Sequence, residues 1–569
     1  MRRLLVRDLL SQLNSMAAIT RQRSEEHLEW INSNLIDFVN EFIRKNKLLD
    51  SHFIKGMNIA FKTTRFETLL KKWLVEYLER LFRILDVSGR LVLQDNPINR
   101  FGAEKYYARF RRLPEVKWEN QPNLLQKIFS ILARPLMVLY ISLNRGLKFS
   151  GKRKKYKVMR EAVWGLYNAR GYYVHDDFLV DGDRIKKEDL LLFSRGVPVE
   201  AGRLKGYYDA QKSPYAHFNL SDLSMGLRTL FSRVIPKYII GSSIILLREI
   251  NSANFSLYWS IYLNFKYSAL RYEKVFSHFE IISELGHNYF TTSHIAEAIV
   301  CQNYGARCYF MNWSDLSIDI DKYMLSFLGC DGYLLWGRAH ITGVEGDPQI
   351  LMPTGYVFKR FIKEVASNRD KILQEMGITK RGKIISFFDE SFGGESKMTE
   401  ENFITFWETA FRLAQIEEGN TILIKPKLMA RYHNLADGFK KRFIDLKNKI
   451  EKMPNIYTID EDKWSFIECI GVSDVVVSQG MTSSATIAII CGIEGLYLDE
   501  AQYSHPFSKL FKDRIVFDDH EKLLEMINKI IEGRDAPSKS IPETVLRDFD
   551  TYNDDMGIER FRDILLCRT

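Results

Sequence analysis

The sequence predicts an α/β protein built from two parallel-sheet units behind an N-terminal helical segment, and three observations predict it. The chain has 569 residues, several times the ~150 residues of an ordinary domain, so two or three domains are expected. From about residue 160 short apolar stretches alternate with helical patterns, the arrangement that builds a parallel sheet with crossover helices. The first 150 residues instead place apolar side chains at spacings of three and four, the period of a helix with one buried face. The composition is 46% hydrophobic and 27% charged, with only 14 Pro and 33 Gly, which excludes a collagen-like or mostly disordered polymer. The formal charge, 81 − 72 = +9, is concentrated in one run rather than spread.

Taken in order, ETLLKKWLVEYLERLFRILD (67–86) reads as an amphipathic helix. KVFSHFEIISEL (274–285) reads as a strand, HIAEAIVCQNYG (294–305) as a helix, ARCYFMNW (306–313) and DGYLLWG (331–337) as strands. After MPTGYVFKRF (352–361), whose Pro-Thr-Gly turn suits an interdomain hinge, a helical stretch spans 358–377. Then strands at 382–391, 421–427, 455–460, 474–480 and 494–499 alternate with helices, making a second doubly wound unit. The expected division is 1–160 for the all-α extension, 161–355 for the first α/β domain and 356–569 for the second.

The six cysteines contain no CxxC, so neither a zinc site nor a disulfide framework is read from them, and buried thiols in a reducing, cytoplasmic compartment are expected. No uninterrupted run of about 18 apolar residues suggests a membrane-spanning helix. LLQKIFSILARPLMVLYISLNRGLKF (124–149) is followed directly by GKRKKYKVMR (151–160). An apolar helix beside a dense basic run suits peripheral attachment to an anionic membrane surface through 124–160. The competing account is a core helix capped by a solvated basic loop. Apart from Tyr156 the run has no interleaved aromatic platforms, so nucleic acid is not an expected partner.

In open α/β sheets ligands bind beyond the C-terminal strand ends, at the loops entering helices. The loop at 479–484 offers Gly480, then Thr482, Ser483 and Ser484 opening a helix, whose free backbone N–H groups and positive dipole end make an anion site; a Ser-Ser pair is equally an ordinary N-cap. Lys425 and Lys427 flank Pro426 at another strand end and would neutralise a diphosphate, or merely be exposed lysines. Asp389 and Glu390, before Gly393 and Gly394, would orient a ribose or sugar hydroxyl, or cap the next element. In the first unit Glu284 and His287 compete as a base for an acceptor hydroxyl, with helix capping as the bland reading for the histidines. His287 is preferred because an ordinary imidazole pKa of ~6.5 suits proton abstraction near neutrality. Asn312, Trp313 and Asp315 end the next strand and face the same cleft.

The ordered set of Trp336-Gly337, the Pro-Thr-Gly hinge, the FFDES and IKPK strand ends, and DVVVSQGMTSSATIAIICG followed by EGLYLD resembles the GT-B glycosyltransferases of bacterial surface-polysaccharide synthesis. It is similar in layout to the group with capsule glycosyltransferases and teichoic-acid glycerophosphotransferases, over about residues 270–510. The resemblance implies two facing Rossmann-like domains, a nucleotide-activated donor held mainly by the C-terminal one and an acceptor held by the N-terminal one. It makes Ser483 and Ser484 a phosphate contact and matches the acidic pair to Asp389 and Glu390. Lys425-Pro426-Lys427 stands where relatives often carry a His-Pro pair. Asn312-Trp313-Ser314 stands where they often carry a Gln-His-Gly-like turn, so no base is carried over from it.

The function expected is transfer of a sugar from a nucleotide-sugar donor to a lipid-linked or growing surface glycan. The donor is a substrate, with no tightly bound cofactor and no metal. A sugar-nucleotide epimerase or hydrolase of the same fold, and a non-catalytic scaffold of a polysaccharide assembly complex, are the alternatives.

Overall fold

The computed structural model describes residues 25–87, 90–94, 96–110, 115–119, 127, 153–161, 178–194, 216–219, 223, 225–286, 292–312, 314–315, 326–341, 350–392, 398–427, 429–461, 463–503 and 505–567. Helices α1 (Glu25–Lys45) and α2 (Arg65–Val87) dominate the N-terminal part. The α2 span contains the expected 67–86 helix, with Phe66, Leu70, Trp73, Leu74, Leu78 and Leu85 along its buried face. The region is helical but not purely so, because β1 (Arg90–Gln94) and β2 (Glu115–Glu119) pair in parallel. Nor is it a separate appendage. Its apolar side chains share one core with those of the first sheet, and Arg65 donates to the Ala298 carbonyl and to Asp331, both at 2.8 Å.

Two parallel sheets follow, as expected from the alternation of elements. The first has the order β5 (Ala216–Asn219), β4 (Leu190–Ser194), β3 (Lys154–Glu161), β6 (Phe279–Gly286), β7 (Arg307–Met311), β8 (Gly332–Leu335) and β9 (Leu351–Pro353). The second has the order β12 (Ile456–Thr458), β11 (Thr421–Lys425), β10 (Ile384–Phe388), β13 (Val475–Gln479), β14 (Glu494–Leu498) and β15 (Val516–Phe517). These are two Rossmann-like parallel-sheet units behind an N-terminal helical region. The inner strands of the second sheet are nearly continuous apolar runs because both of its faces are covered by helices.

Two local readings change, and a third lies outside the described residues. Most of the basic run 151–160 is not a solvated loop but β3, a central strand that also crosses the expected boundary at 160, with Arg153, Lys154 and Lys155 exposed at its start. Tyr156, Val158 and Met159 are buried. Arg153 donates to the Phe276 carbonyl, Lys155 pairs with Glu280, and Lys157 reaches the Arg184 carbonyl and Asp189. The apolar segment 124–149 lies outside the described residues except for Lys127, whose ammonium donates to the Ile250 carbonyl at 3.1 Å. The stretch 274–285 divides, with α3 (Phe255–His278) ending just before β6.

By length and composition the helix Leu227–Arg248 is apolar enough to cross a membrane. Arg233 and Lys237 interrupt its apolar residues, which is why no uninterrupted run marks it in the sequence. Both cations are occupied within the protein, Arg233 stacking 3.8 Å from the Tyr304 ring and Lys237 donating to Asn303 at 2.8 Å. Leu230, Val234, Tyr238 and Leu246 face the core, while Phe231, Ile240 and Ile244 are exposed.

The C-terminal segment ties the two sheets together. After β15 the chain returns across the first unit, and the helix Gly557–Leu565 sends Arg562 to the carbonyls of Phe178 and Leu179 at 2.8 and 3.1 Å. Asp550, fully buried, accepts from the Lys359 ammonium at 3.1 Å and from the Tyr356 backbone N–H at 3.2 Å, just past the Pro-Thr-Gly turn. Removing one member of a buried ion pair leaves the other uncompensated, at a cost of about 3–5 kcal/mol. Asp550→Ala is therefore expected to lower stability by about that amount in chemical denaturation, whereas Lys359→Met combined with Asp550→Leu costs far less.

Candidate functional site

The second sheet brings three strand ends into one row, since Phe388 of β10 is in register with Lys425 of β11 and with Ser478 of β13. The expected donor residues collect there. Gly480 follows β13 with φ +59, and a Cβ at this position would stand 3.1 Å from the Tyr503 ring. A left-handed residue without a side chain lets the strand turn sharply into the next helix. That helix, α5 (Ser483–Ile490), is preceded by Thr482 in the N-cap position. The Thr482 hydroxyl is buried and finds no hydrogen-bond partner among the described residues. Ala485 N–H is satisfied by the Ser478 hydroxyl at 2.8 Å.

Around this row the charges are already partly spoken for. Asp389 accepts from the Trp407 indole N–H at 3.0 Å and from the Lys427 backbone N–H at 2.5 Å. Burial pushes its carboxyl up to about 7, against the pull of those two donors. Lys427 pairs with Glu390, whose backbone N–H donates to the Gln479 side chain at 3.0 Å. Among the described residues the Lys425 ammonium donates to the adjacent Pro426 carbonyl, at 3.0 Å. Asp389 and Glu390 thus pin the β10, β11 and β13 loops to one another, and Lys425 is the cation best placed to meet a ligand.

The end of β7 in the first sheet meets this edge directly. Ser314 and Ser483 hydroxyls are 2.6 Å apart, and the Asp315 backbone N–H donates to the Ser483 hydroxyl at 2.8 Å. The Asp315 carboxylate is completely enclosed. It accepts from the Thr486 hydroxyl, lies 3.3 Å from His505 Nε2, and is 3.5 Å from His340 Nδ1. His505 Nδ1 accepts from the Phe507 backbone N–H at 3.0 Å, which leaves Nε2 to carry the proton toward Asp315. Thr486 has one hydrogen and gives it to the carboxylate, so the Tyr497 hydroxyl, 2.7 Å away, donates to Thr486 in turn. Burial holds His340 below its ordinary pKa although Asp315 pulls the other way. Beside this node Asn312 is 1% exposed. Its side-chain amide oxygen and nitrogen have no hydrogen-bond partner among the described residues.

The structure therefore gathers Lys425, Lys427, Asp389, Glu390, Gly480, Thr482, Ser483 and Ser484 at one edge, and sets Asn312 and Asp315 against it. His287 and Trp313 lie outside the described residues. Glu284 does not reach the cleft. It sits within β6, fully buried, and accepts from the Cys301 thiol at 2.9 Å. Burial, with Glu297 beside it, raises its carboxyl well above the carboxylate range. A carboxyl enclosed inside the first unit cannot abstract a proton from an acceptor in the cleft, which removes Glu284 as the base. Sequence reasoning missed His340, Thr486, Tyr497 and His505. The one available signal was His505-Pro506, the single His-Pro pair in the chain, which follows β14, three strands beyond the β11 end where Lys425-Pro426-Lys427 stands.

No family model matches the chain, and no curated protein matches it. Among solved structures it is similar to the wall teichoic acid polymerase TagF, at 9% identity over 78% of this chain and 97% of that one, with a TM-score of 0.44. It is also similar to the UDP-GlcNAc 2-epimerase from Neisseria meningitidis, at 10% identity over 73% and 100% of the two chains and a TM-score of 0.43. A third is the UDP-forming α,α-trehalose-phosphate synthase from Burkholderia xenovorans, at 11% identity over 72% and 99% and a TM-score of 0.39. Similarity at this level assigns neither family nor chemistry.

Asp389 generates a pH prediction. Its folded pKa of about 7 lies above the ~3.9 of an unfolded aspartate, so the native state holds its proton more tightly. The corresponding stability is fully present below about pH 4 and is lost as pH rises toward 7, by up to about 4 kcal/mol at ~1.36 kcal/mol per unit. The difference in unfolding free energy between wild type and Asp389→Asn is expected to shift across that window, and a pH-independent difference would contradict the assignment.

Proposed function

We propose that this protein is a glycosyltransferase that moves a sugar from a nucleotide-activated donor to a glycan or lipid-linked acceptor of a surface polysaccharide. One observation carries the reading. The N-terminal end of α5, with a buried Thr482 hydroxyl that has no partner among the described residues, shares a row of strand ends with Lys425; Asn312, two residues before the Ser314–Ser483 contact, carries a buried amide whose two polar atoms likewise have no partner among the described residues. Buried polar atoms without partners are costly in a finished interior, and a bound substrate would satisfy them.

In this reading the donor phosphates lie over the Gly480–Ser484 turn. The α5 dipole and Lys425 then neutralise charge as the nucleoside diphosphate leaves. Ser483 is the joint on which the first unit's loop rests, and Asn312 orients the transferred sugar or the acceptor hydroxyl from the other side. His287 is the proposed base, with Glu284 excluded by its position. Positioning of two substrates and stabilisation of the leaving group supply the catalysis, with the donor as substrate rather than a resident cofactor.

Two measurements test it. Thermal-shift screening against nucleotide sugars is expected to find at least one that stabilises the protein, and protection by none of them would overturn the reading. With the active donor and an acceptor glycan, Lys425→Ala is expected to reduce kcat/KM by about 10²–10³-fold, the usual effect of removing one charge-stabilising group. Donor conversion that proceeds fully without any acceptor would instead identify an epimerase or hydrolase.

A further inference from the structure

The interior of the first unit holds a cluster that the proposed transfer reaction does not use. On α4 (Ser293–Asn303) Glu297 and Cys301 are four residues apart, and side chains at that spacing lie on one helical face. Beneath them Glu284 of β6 is in register with Cys308 of β7, and cross-strand partners of this kind project from the same face of the sheet. All four side chains are completely enclosed or nearly so, at 0% exposure. The donor atoms of Glu284, Cys301 and Cys308 all lie within 4.8 Å of one another. Cys301 Sγ is 2.9 Å from one Glu284 oxygen, and the other Glu284 oxygen is buried with no hydrogen bond of ordinary geometry among the described residues. Glu297 packs beside Glu284 from the helix above.

Two thiols and two carboxyls facing one another in a dry interior form an unusual polar cluster, since an isolated buried carboxyl is expensive. They are also a ligand set. We infer that Glu284, Cys301, Cys308 and Glu297 form a structural site for a thiophilic divalent cation of the zinc class, clamping α4 onto β6 and β7. Paired thiolates select zinc over calcium or magnesium. Zinc–sulfur and zinc–oxygen bonds of about 2.3 and 2.1 Å put tetrahedral ligands roughly 3.5 Å apart, so a small contraction of Glu284, Cys301 and Cys308 supplies three ligands, and Glu297 closing from α4 supplies the fourth. Binding displaces the thiol and carboxyl protons to solvent. With four protein ligands and no access for water, the ion would hold the fold and take no part in catalysis. A CxxC search cannot find this site, because its four ligands come from three elements.

The test uses the full chain purified without chelator. Elemental analysis is expected to give one zinc ion per chain. Refolding with Co²⁺ in place of zinc is expected to give the thiolate-to-cobalt charge-transfer absorption that reports sulfur ligation. Both signals are lost in Cys301→Ser combined with Cys308→Ser and retained in Cys469→Ser, which removes a buried thiol of the second unit. A metal content far below one ion per chain with no cobalt band, a Cys301–Cys308 disulfide found by mass spectrometry, or full metal content in the double variant would each overturn the inference. If the double variant does not fold, the wild-type zinc content and cobalt spectrum decide by themselves.

Discussion

The buried carboxylate of Asp315 is the interaction on which the relation between the two sheets depends. It leaves the end of β7 in the first unit, yet the Thr486 hydroxyl and the His505 ring that satisfy it belong to the second. A carboxylate taken fully out of water is tolerated only when its lone pairs are met, so the two strand-end surfaces must come together for either to be stable. The contact also sits at the first turn of α5, where the helix dipole favours an anion. An internal carboxylate thus takes part of the field that a phosphate would use, and Ser483, read from sequence as a phosphate contact, spends its hydroxyl on the joint.

This constraint shapes the candidate site. What is left for a ligand is the remainder of the row: the Gly480 turn, the Thr482 hydroxyl and Lys425, with the buried amide of Asn312, which has no partner among the described residues, at the end of β7. The acidic pair Asp389 and Glu390 works from behind, locking the β10, β11 and β13 loops through Trp407, Lys427 and Gln479. The site is built on strand ends held by buried hydrogen bonds, the rigid placement that orientation of two substrates needs. The C-terminal return through Asp550 and Arg562 fixes the same two units from the opposite direction.

Much of the second sheet was legible because its strands are short apolar runs ending in polar or glycine residues, such as DVVVSQG and TILIKPK. Burial on both faces dictates that pattern, and α2 was legible from its period for the same reason. The first sheet was harder. The lysines and arginine of β3 read as a solvated patch, because charge at the strand's exposed start and edges masked the buried Tyr156, Val158 and Met159. Glu284 read as a base at the end of a strand; the boundary was misplaced because the helix ending at His278 runs directly into β6, whose last residues, Glu284 included, are buried inside the sheet. The gathering of candidate donor residues followed from strand order alone. The Asp315 node did not, because His505 and Thr486 are brought to it from 190 and 171 residues away, and no local spacing encodes that meeting. Nor could cysteine spacing reveal that Cys301 and Cys308 converge on Glu284.

The central claim is that donor phosphates bind at the start of α5 beside the interdomain joint. Hydrogen–deuterium exchange of the full chain with and without each common nucleoside diphosphate tests it most directly. Slowed exchange concentrated at residues 480–485 and at 314–315 is the result the account predicts; protection by a bound nucleotide that falls elsewhere, leaving those amides unchanged, would contradict it.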